Sequence, residues 1–336
     1  MTGSVLLLVT FAVALGFDFT NGFHDTPMAV ATSISTRALN PRSAVLLASV
    51  LNLVGALVTV LLFQARVSNT IAKLLVIKPG LLVVIAGLVG AIVWNLITWW
   101  WGLPSSSSHA FIGGLLGAAV AAGGGFGAIR WSAFLPTLLG LVTSPVIGFF
   151  AAGLLVIALI WVFRKAHPGP LNRWFRLLQV PAAAFVAFSH GSNDAQKTMA
   201  AMGLALVASG HLAKFSVPVW VVFLSATAIG FGTYAGGWRI MRTLGWGIYK
   251  LEPATGMAAQ VMGATVIQVA TQLGYPVSTT HNITGAVMGA GAARRPGTLS
   301  LSTIANIIGS WLVTIPAAGS VGWVLFAVLN TAGLRG

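Results

Sequence analysis

The sequence predicts an all-α polytopic membrane protein built from two related halves. Three observations carry that prediction. Hydrophobic residues make up 57% of the chain and charged residues 7%, against roughly 25% charged in a soluble domain. Long apolar runs recur at Val5–Gly16, Ala44–Phe63, Leu81–Trp101, Leu135–Phe163, Val217–Phe231 and Ile304–Leu329, and a spanning helix needs about 20 such residues. Two motifs then repeat about half a chain apart.

The first repeated motif contains two of only four acidic residues, Asp18, Asp25, Asp194 and Glu252. Phe19-Thr20-Asn21-Gly22-Phe23-His24-Asp25 matches Phe188-Ser189-His190-Gly191-Ser192-Asn193-Asp194 at an offset of 169 residues. The second motif, Pro104-Ser105-Ser106-Ser107-Ser108-His109, matches Pro276-Val277-Ser278-Thr279-Thr280-His281 at an offset of 172. Internal duplication of this kind is the signature of secondary transporters. The halves are residues 1–165 and 181–336, joined by a basic cytoplasmic linker at 166–180.

Taken in order, the first half offers spans near 3–20, 43–63, 81–101 and 135–163, with a polar-started segment at 104–122. The second offers 181–207, 216–236, 254–274 and 303–329, with its segment at 276–292. If those segments cross, each half has five spans and the repeats are inverted. If they are re-entrant, each half has four spans and the repeats are parallel. Both arrangements satisfy the positive-inside rule, so charge does not choose between them.

The net charge of +14 sets topology and meets anionic lipid; it does not indicate nucleic acid. No cysteine is present, which excludes disulfides and thiolate metal sites. The first apolar run lacks a basic leader and a cleavage site, so it reads as a retained span.

Proline is favoured in the first turn of a helix, so Pro104 and Pro276 mark helix starts. The hydroxyls behind them sit among unpaired backbone N–H groups at the positive end of the dipole. Such a start is an anion site, and two of them meeting near the midplane would surround a tetrahedral oxyanion with neutral donors. Serines in this position also serve as plain helix caps. Asp25 and Asp194, kept in a costly environment, are placed to bind a cation, carry a proton or pair with a base. Gly22 and Gly191 permit a broken helix with free carbonyls there, and oxygen donors of this type suit Na⁺ or a hard divalent ion. His109 and His281 read as orienting groups beside the anion. Lys197 either offsets anion charge or pairs with Asp194 at i+3. Glu252, beside Lys250, reads as a loop ion pair, and Asp18 has no mate in the second half.

At Asn21–Thr26, Pro104–His109, Ser189–Lys197 and Pro276–His281 the chain resembles the inorganic phosphate transporter family, in its bacterial Pit type. The resemblance covers nearly the whole chain. It implies inverted repeats of about five membrane segments each and an inner-membrane location. It implies phosphate held by Ser106, Ser107, Ser108, Ser278, Thr279 and Thr280. It places the coupling ion, H⁺ or Na⁺, around Asn21, Asp25, Asn193 and Asp194, with His24, His109, Gln196, Lys197 and His281 in support. A divalent ion such as Mg²⁺, carried with phosphate as a neutral complex, would engage Asp25 and Asp194. No other cofactor is implied, and a homodimer is. Met28 and Gln260 stand where many relatives have Asn and Glu, and the loss of those oxygens points to protons over Na⁺.

Two other functions fit parts of the pattern. A carrier of sulfate needs donors only, whereas phosphate keeps a proton and wants an acceptor. An intramembrane Ser/His hydrolase needs an oriented base and an oxyanion hole, but both serine motifs lack an acidic orienter, and one catalytic site has no use for two-fold copies.

Overall fold

A computed structural model describes residues 3–334 and places them in twelve α-helices. The first half contributes α1 (Gly3–Ser35), α2 (Pro41–Phe63), α3 (Arg66–Ala72), α4 (Leu81–Trp101), α5 (Ser107–Ala122) and α6 (Trp131–Val162). The second contributes α7 (Pro168–Ala208), α8 (Val219–Ala235), α9 (Trp238–Arg242) with a π-helical turn at Thr243–Gly247, α10 (Pro253–Gln272), α11 (Thr279–Arg294) and α12 (Leu301–Thr331). Long, short and half-length helices follow the same order in each half.

The halves are inverted. At one end of the bundle, Leu6, Leu7, Leu81, Leu82 and Ala205 share an apolar cluster with Leu329. At the other end, Thr36 donates to Gln179 at 2.6 Å, and Gln179 donates to the Pro253 carbonyl at 2.6 Å. So α1 begins where its counterpart α7 finishes. The packing also crosses between halves: α1 lies on α8 and α7 on α2, while α5 lies on α12 and α11 on α6.

The hydroxyl-motif helices do not cross the bundle. α5 and α11 have 16 residues each, about 24 Å at 1.5 Å per residue, less than a span. The chain leaves α4 through Gly102, a left-handed cap with φ 68°, and turns back into α5. Arg130 N–H donates to the Leu74 carbonyl at 2.9 Å, tying the loop after α5 to the loop before α4. Ser300 N–H donates to the Ile248 carbonyl at 2.9 Å in the equivalent place around α10 and α11. Each pair is therefore a hairpin that enters and leaves at one end. That leaves three crossing units per half, an odd number: α1, α2 and α6 in the first, and α7, the bent pair of α8 and α9, and α12 in the second. The link between re-entrant segments and parallel repeats fails because α4 and α10 belong to the hairpins too.

Two boundaries differ from the sequence reading. The segment 166–180 is not an open linker: α7 begins at Pro168 and runs 41 residues through Pro181. Proline suits its first turn, and the connection between halves shrinks to the turn around Phe163–His167. α1 also continues unbroken through Gly22 to Ser35, as α7 does through Gly191. These glycines are contact points rather than breaks. A β-carbon on Gly22 would strike the backbone of Ile229 and Thr233 in α8, and one on Gly191 the backbone of Asn52 in α2.

Candidate functional site

Four helix segments converge in the interior: the middles of α1 and α7, and the first turns of α5 and α11. Ser106 and Ser278 cap those first turns, accepting from the backbone N–H of His109 and of His281, each at 3.1 Å. Capping fixes the two starts and aims the next hydroxyls inward. The two starts touch, because Ser108 donates to the Val277 carbonyl at 2.8 Å. The His109 and His281 rings stack with centroids 4.6 Å apart, and His281 stacks on Trp311 at 3.9 Å.

Asp25 lies between the starts. Ser107 donates to its Oδ2 at 3.0 Å and Thr280 to its Oδ1 at 2.8 Å. His24 Nδ1 meets Oδ1 at 2.7 Å, while His24 Nε2 meets Thr98 Oγ1 at 3.0 Å. Thr98 in turn receives a bond from Ser105 at 2.8 Å. Asp194 is held by Lys197 Nζ at 2.5 Å, and Lys197 also donates to Ser108 at 3.1 Å. The i+3 pair with Asp194 is present, and the same lysine reaches the hydroxyl of Ser108.

His190 links the two carboxylates. Its Nε2 lies 3.3 Å from Asp194 Oδ2 and 3.8 Å from Asp25 Oδ2. Asn52 of α2 takes Nδ1 at 2.6 Å and turns Nε2 toward them. Ligand atoms of Asp25, His190 and Asp194 all lie within 4.8 Å of one another. A carboxylate–imidazole–carboxylate set of this kind can hold a hard or borderline divalent cation. All these groups are buried, so the arrangement is occluded.

The remaining candidates fall outside that cluster. Asn193 donates to Thr271 at 2.8 Å and to the Tyr275 carbonyl at 3.3 Å, toward the turn between α10 and α11. Gln196 accepts from Val67 N–H at 2.9 Å and anchors α3. Thr279 is buried on the first turn of α11. Asn21 is buried one turn before Asp25 with both side-chain polar atoms unpartnered. Gln260 donates to Ala29 and Ser33 of α1. Glu252 pairs with Arg294 at 3.0 Å; Lys250 is not its partner.

Sequence reasoning named His190 within the motif but gave it no role, and it missed Asn52. The available signals were repeat symmetry, which sets His190 opposite Asn21, and a lone amide inside the apolar run of α2.

The phosphate transporter family model matches this chain twice, over residues 21–172 and 163–322. The chain belongs to the phosphate transporter family. Its two matches divide the chain at the junction of α6 and α7. The chain is 41% identical over 334 residues to a Bacillus subtilis (strain 168) protein named "Probable low-affinity inorganic phosphate transporter", covering 97% of this chain and 98% of the relative. A Rhizobium meliloti (strain 1021) protein of the same name is 45% identical, covering 94% of each chain. A Mycobacterium leprae (strain TN) protein of that name is 44% identical, covering 98% of this chain and 79% of the relative. Among solved structures, "The sodium-dependent phosphate transporter" superposes with a TM-score of 0.85 over 97% of this chain and 99% of its own, at 23% identity. That likeness bears on the fold. The family and the relatives' names are those of transporters, which leaves the hydrolase reading without support.

Proposed function

We propose that this chain is a secondary active symporter of inorganic phosphate in the bacterial inner membrane, working by alternating access. The observation that carries the reading is the pair of hydroxyl-bearing helix starts, one from each inverted half, closing on Asp25 through Ser107 and Thr280. Ser107, Ser108, Thr279 and Thr280 supply donors to the anion, while Ser106 and Ser278 hold the two starts in shape. Lys197 offsets the anion's charge through Ser108. Asp25 serves as the acceptor that a protonated phosphate needs and sulfate does not, which favours phosphate over sulfate. The relatives' names point to the same substrate.

A divalent ion carried with phosphate is cargo rather than a resident cofactor. Asp25, His190 and Asp194 together have the donor chemistry and the spacing for it. Inversion of the halves supplies the mechanical element: exchanging the conformations of two inverted repeats opens a central site first to one side, then to the other.

Uptake of labelled phosphate into proteoliposomes tests the reading. Uptake that needs an imposed ion gradient and resists excess sulfate is expected. Flux indifferent to every gradient would show a channel, and competition by sulfate would show a general oxyanion carrier.

A further inference from the structure

Repeat symmetry pairs most interior polar groups, but two charges escape it. Asp18 stands where the second half has Ala187, and Lys197 stands where the first half has Met28. Both are fully buried, and they lie on α1 and α7, which pack together. Lys197 is engaged by Asp194 and Ser108. Neither oxygen of Asp18 has a hydrogen-bond partner among the described residues. One turn on, at i+3, Asn21 is fully buried with both side-chain atoms unpartnered as well.

The other two interior carboxylates are compensated where they stand. Asp25 accepts from Ser107 and Thr280, and Asp194 holds Lys197. An uncompensated charge in a membrane interior is costly, and such residues mark proton relays and ion pathways. Lys197, Asp194 and His190 face Asp18 from α7, and the Thr198 hydroxyl, which has no other partner among the described residues, is placed as a weak donor to it. Among the other helices packed on α1, α4 and α10 carry no titratable side chain, α8 carries only Tyr234, α2 only Arg42 in its first turn, α9 Arg239 and Arg242, α5 His109, and α11 His281 and Arg294.

We propose that Asp18 carries the co-transported proton, and that Asn21 and Lys197 tie its protonation to phosphate binding. This deepens the symport reading and rests on it. A protonated carboxyl is both donor and acceptor, and a primary amide is its complement. Acid O–H to Asn21 Oδ1 and Asn21 Nδ2–H to the acid carbonyl satisfy four unpartnered atoms with one proton. A sodium ion would leave Asn21 Nδ2 unpartnered. Ionised Asp18 competes with Asp194 and Ser108 for Lys197; protonated Asp18 leaves that ammonium at the phosphate site. Proton and phosphate therefore favour each other's binding, and by linkage the effect is reciprocal. The proton is taken up from the side to which the site is open and released to the other side after the exchange of conformations.

The test uses the full chain in proteoliposomes under an inside-alkaline gradient of one pH unit. Wild type should accumulate phosphate by up to roughly tenfold for one coupled proton, since 1.4 kcal/mol corresponds to a tenfold ratio. Asp18→Asn should bring accumulation to equilibrium only while residual phosphate exchange persists. Accumulation by Asp18→Asn equal to wild type overturns the inference, as does wild-type accumulation driven by sodium alone. Should Asp18→Asn not reach the membrane, Asp18→Glu carries the test. It should keep accumulation but shift the pH of half-maximal uptake, and an unshifted profile overturns the proposal. Absence of phosphate uptake by folded wild-type protein would instead refute the symport reading itself.

Discussion

Lys197 of α7 reaches across to Ser108 of α5 at 3.1 Å while holding Asp194. Its symmetry mate, Met28 of α1, occupies the matching position against Thr280 of α11, whose hydroxyl lies 3.9 Å from the Met28 sulfur. One inverted half therefore presents a cation to the hydroxyl cluster and the other a thioether. The two halves share a backbone plan but not a charge, so the hydroxyl cluster is asymmetric.

Lys197→Met makes the halves alike at this point. Charge-assisted hydrogen bonds contribute about 1.5–3 kcal/mol, so apparent phosphate affinity should fall by roughly tenfold or more. Breaking a buried pair also costs stability, so thermal melting is followed in parallel. The reading is wrong if folded Lys197→Met binds phosphate as tightly as wild type.

Ser107→Ala and Thr280→Ala each remove one donor that faces Asp25. Each should raise the concentration of phosphate giving half-maximal uptake. Ser106→Ala should act differently, because Ser106 caps α5. Loss of a cap costs about 1 kcal/mol of stability, seen as a lowered melting temperature. Equal effects of all three on affinity would remove the distinction drawn between capping and binding serines.

Gly191→Ala tests the crossed packing of the halves. The added methyl meets the backbone of Asn52 rather than a movable side chain. Overpacking costs typically 1–3 kcal/mol, and here it also displaces Asn52 from His190. Reduced thermal stability together with lowered uptake is expected, and Gly22→Ala should match it on the other half. A neutral Gly191→Ala would mean that α2 and α7 are not in contact there.

The hydroxyl-bearing helix starts were legible in the sequence because proline and a run of serines leave little choice of local structure, and their duplication pointed to both at once. The hairpins were not legible. α4 has 21 residues and is long and apolar enough to cross a membrane; only the turn at Gly102 and the bond between Arg130 and Leu74 reveal that α4 and α5 leave by the end they entered. Gly22 and Gly191 stood out, but glycine serves a broken helix and a close contact equally well, and the partner backbone that decides lies in the other half. The role of His190 depends on Asn52, 138 residues away, which no local pattern reports. Gln196 looked like part of a polar motif, but its amide is used by α3.

The carboxylates bear the central claim. Asp25 sits between donors from both halves and Asp194 holds the one buried lysine among the described residues, so neither is expected to tolerate loss of charge. Labelled-phosphate accumulation in proteoliposomes, driven by an imposed proton or sodium gradient and compared between wild type, Asp25→Asn and Asp194→Asn, tests this most directly. Gradient-driven accumulation in wild type, abolished in both variants while each remains folded in the membrane, is the predicted result. Normal accumulation in both variants would contradict the account.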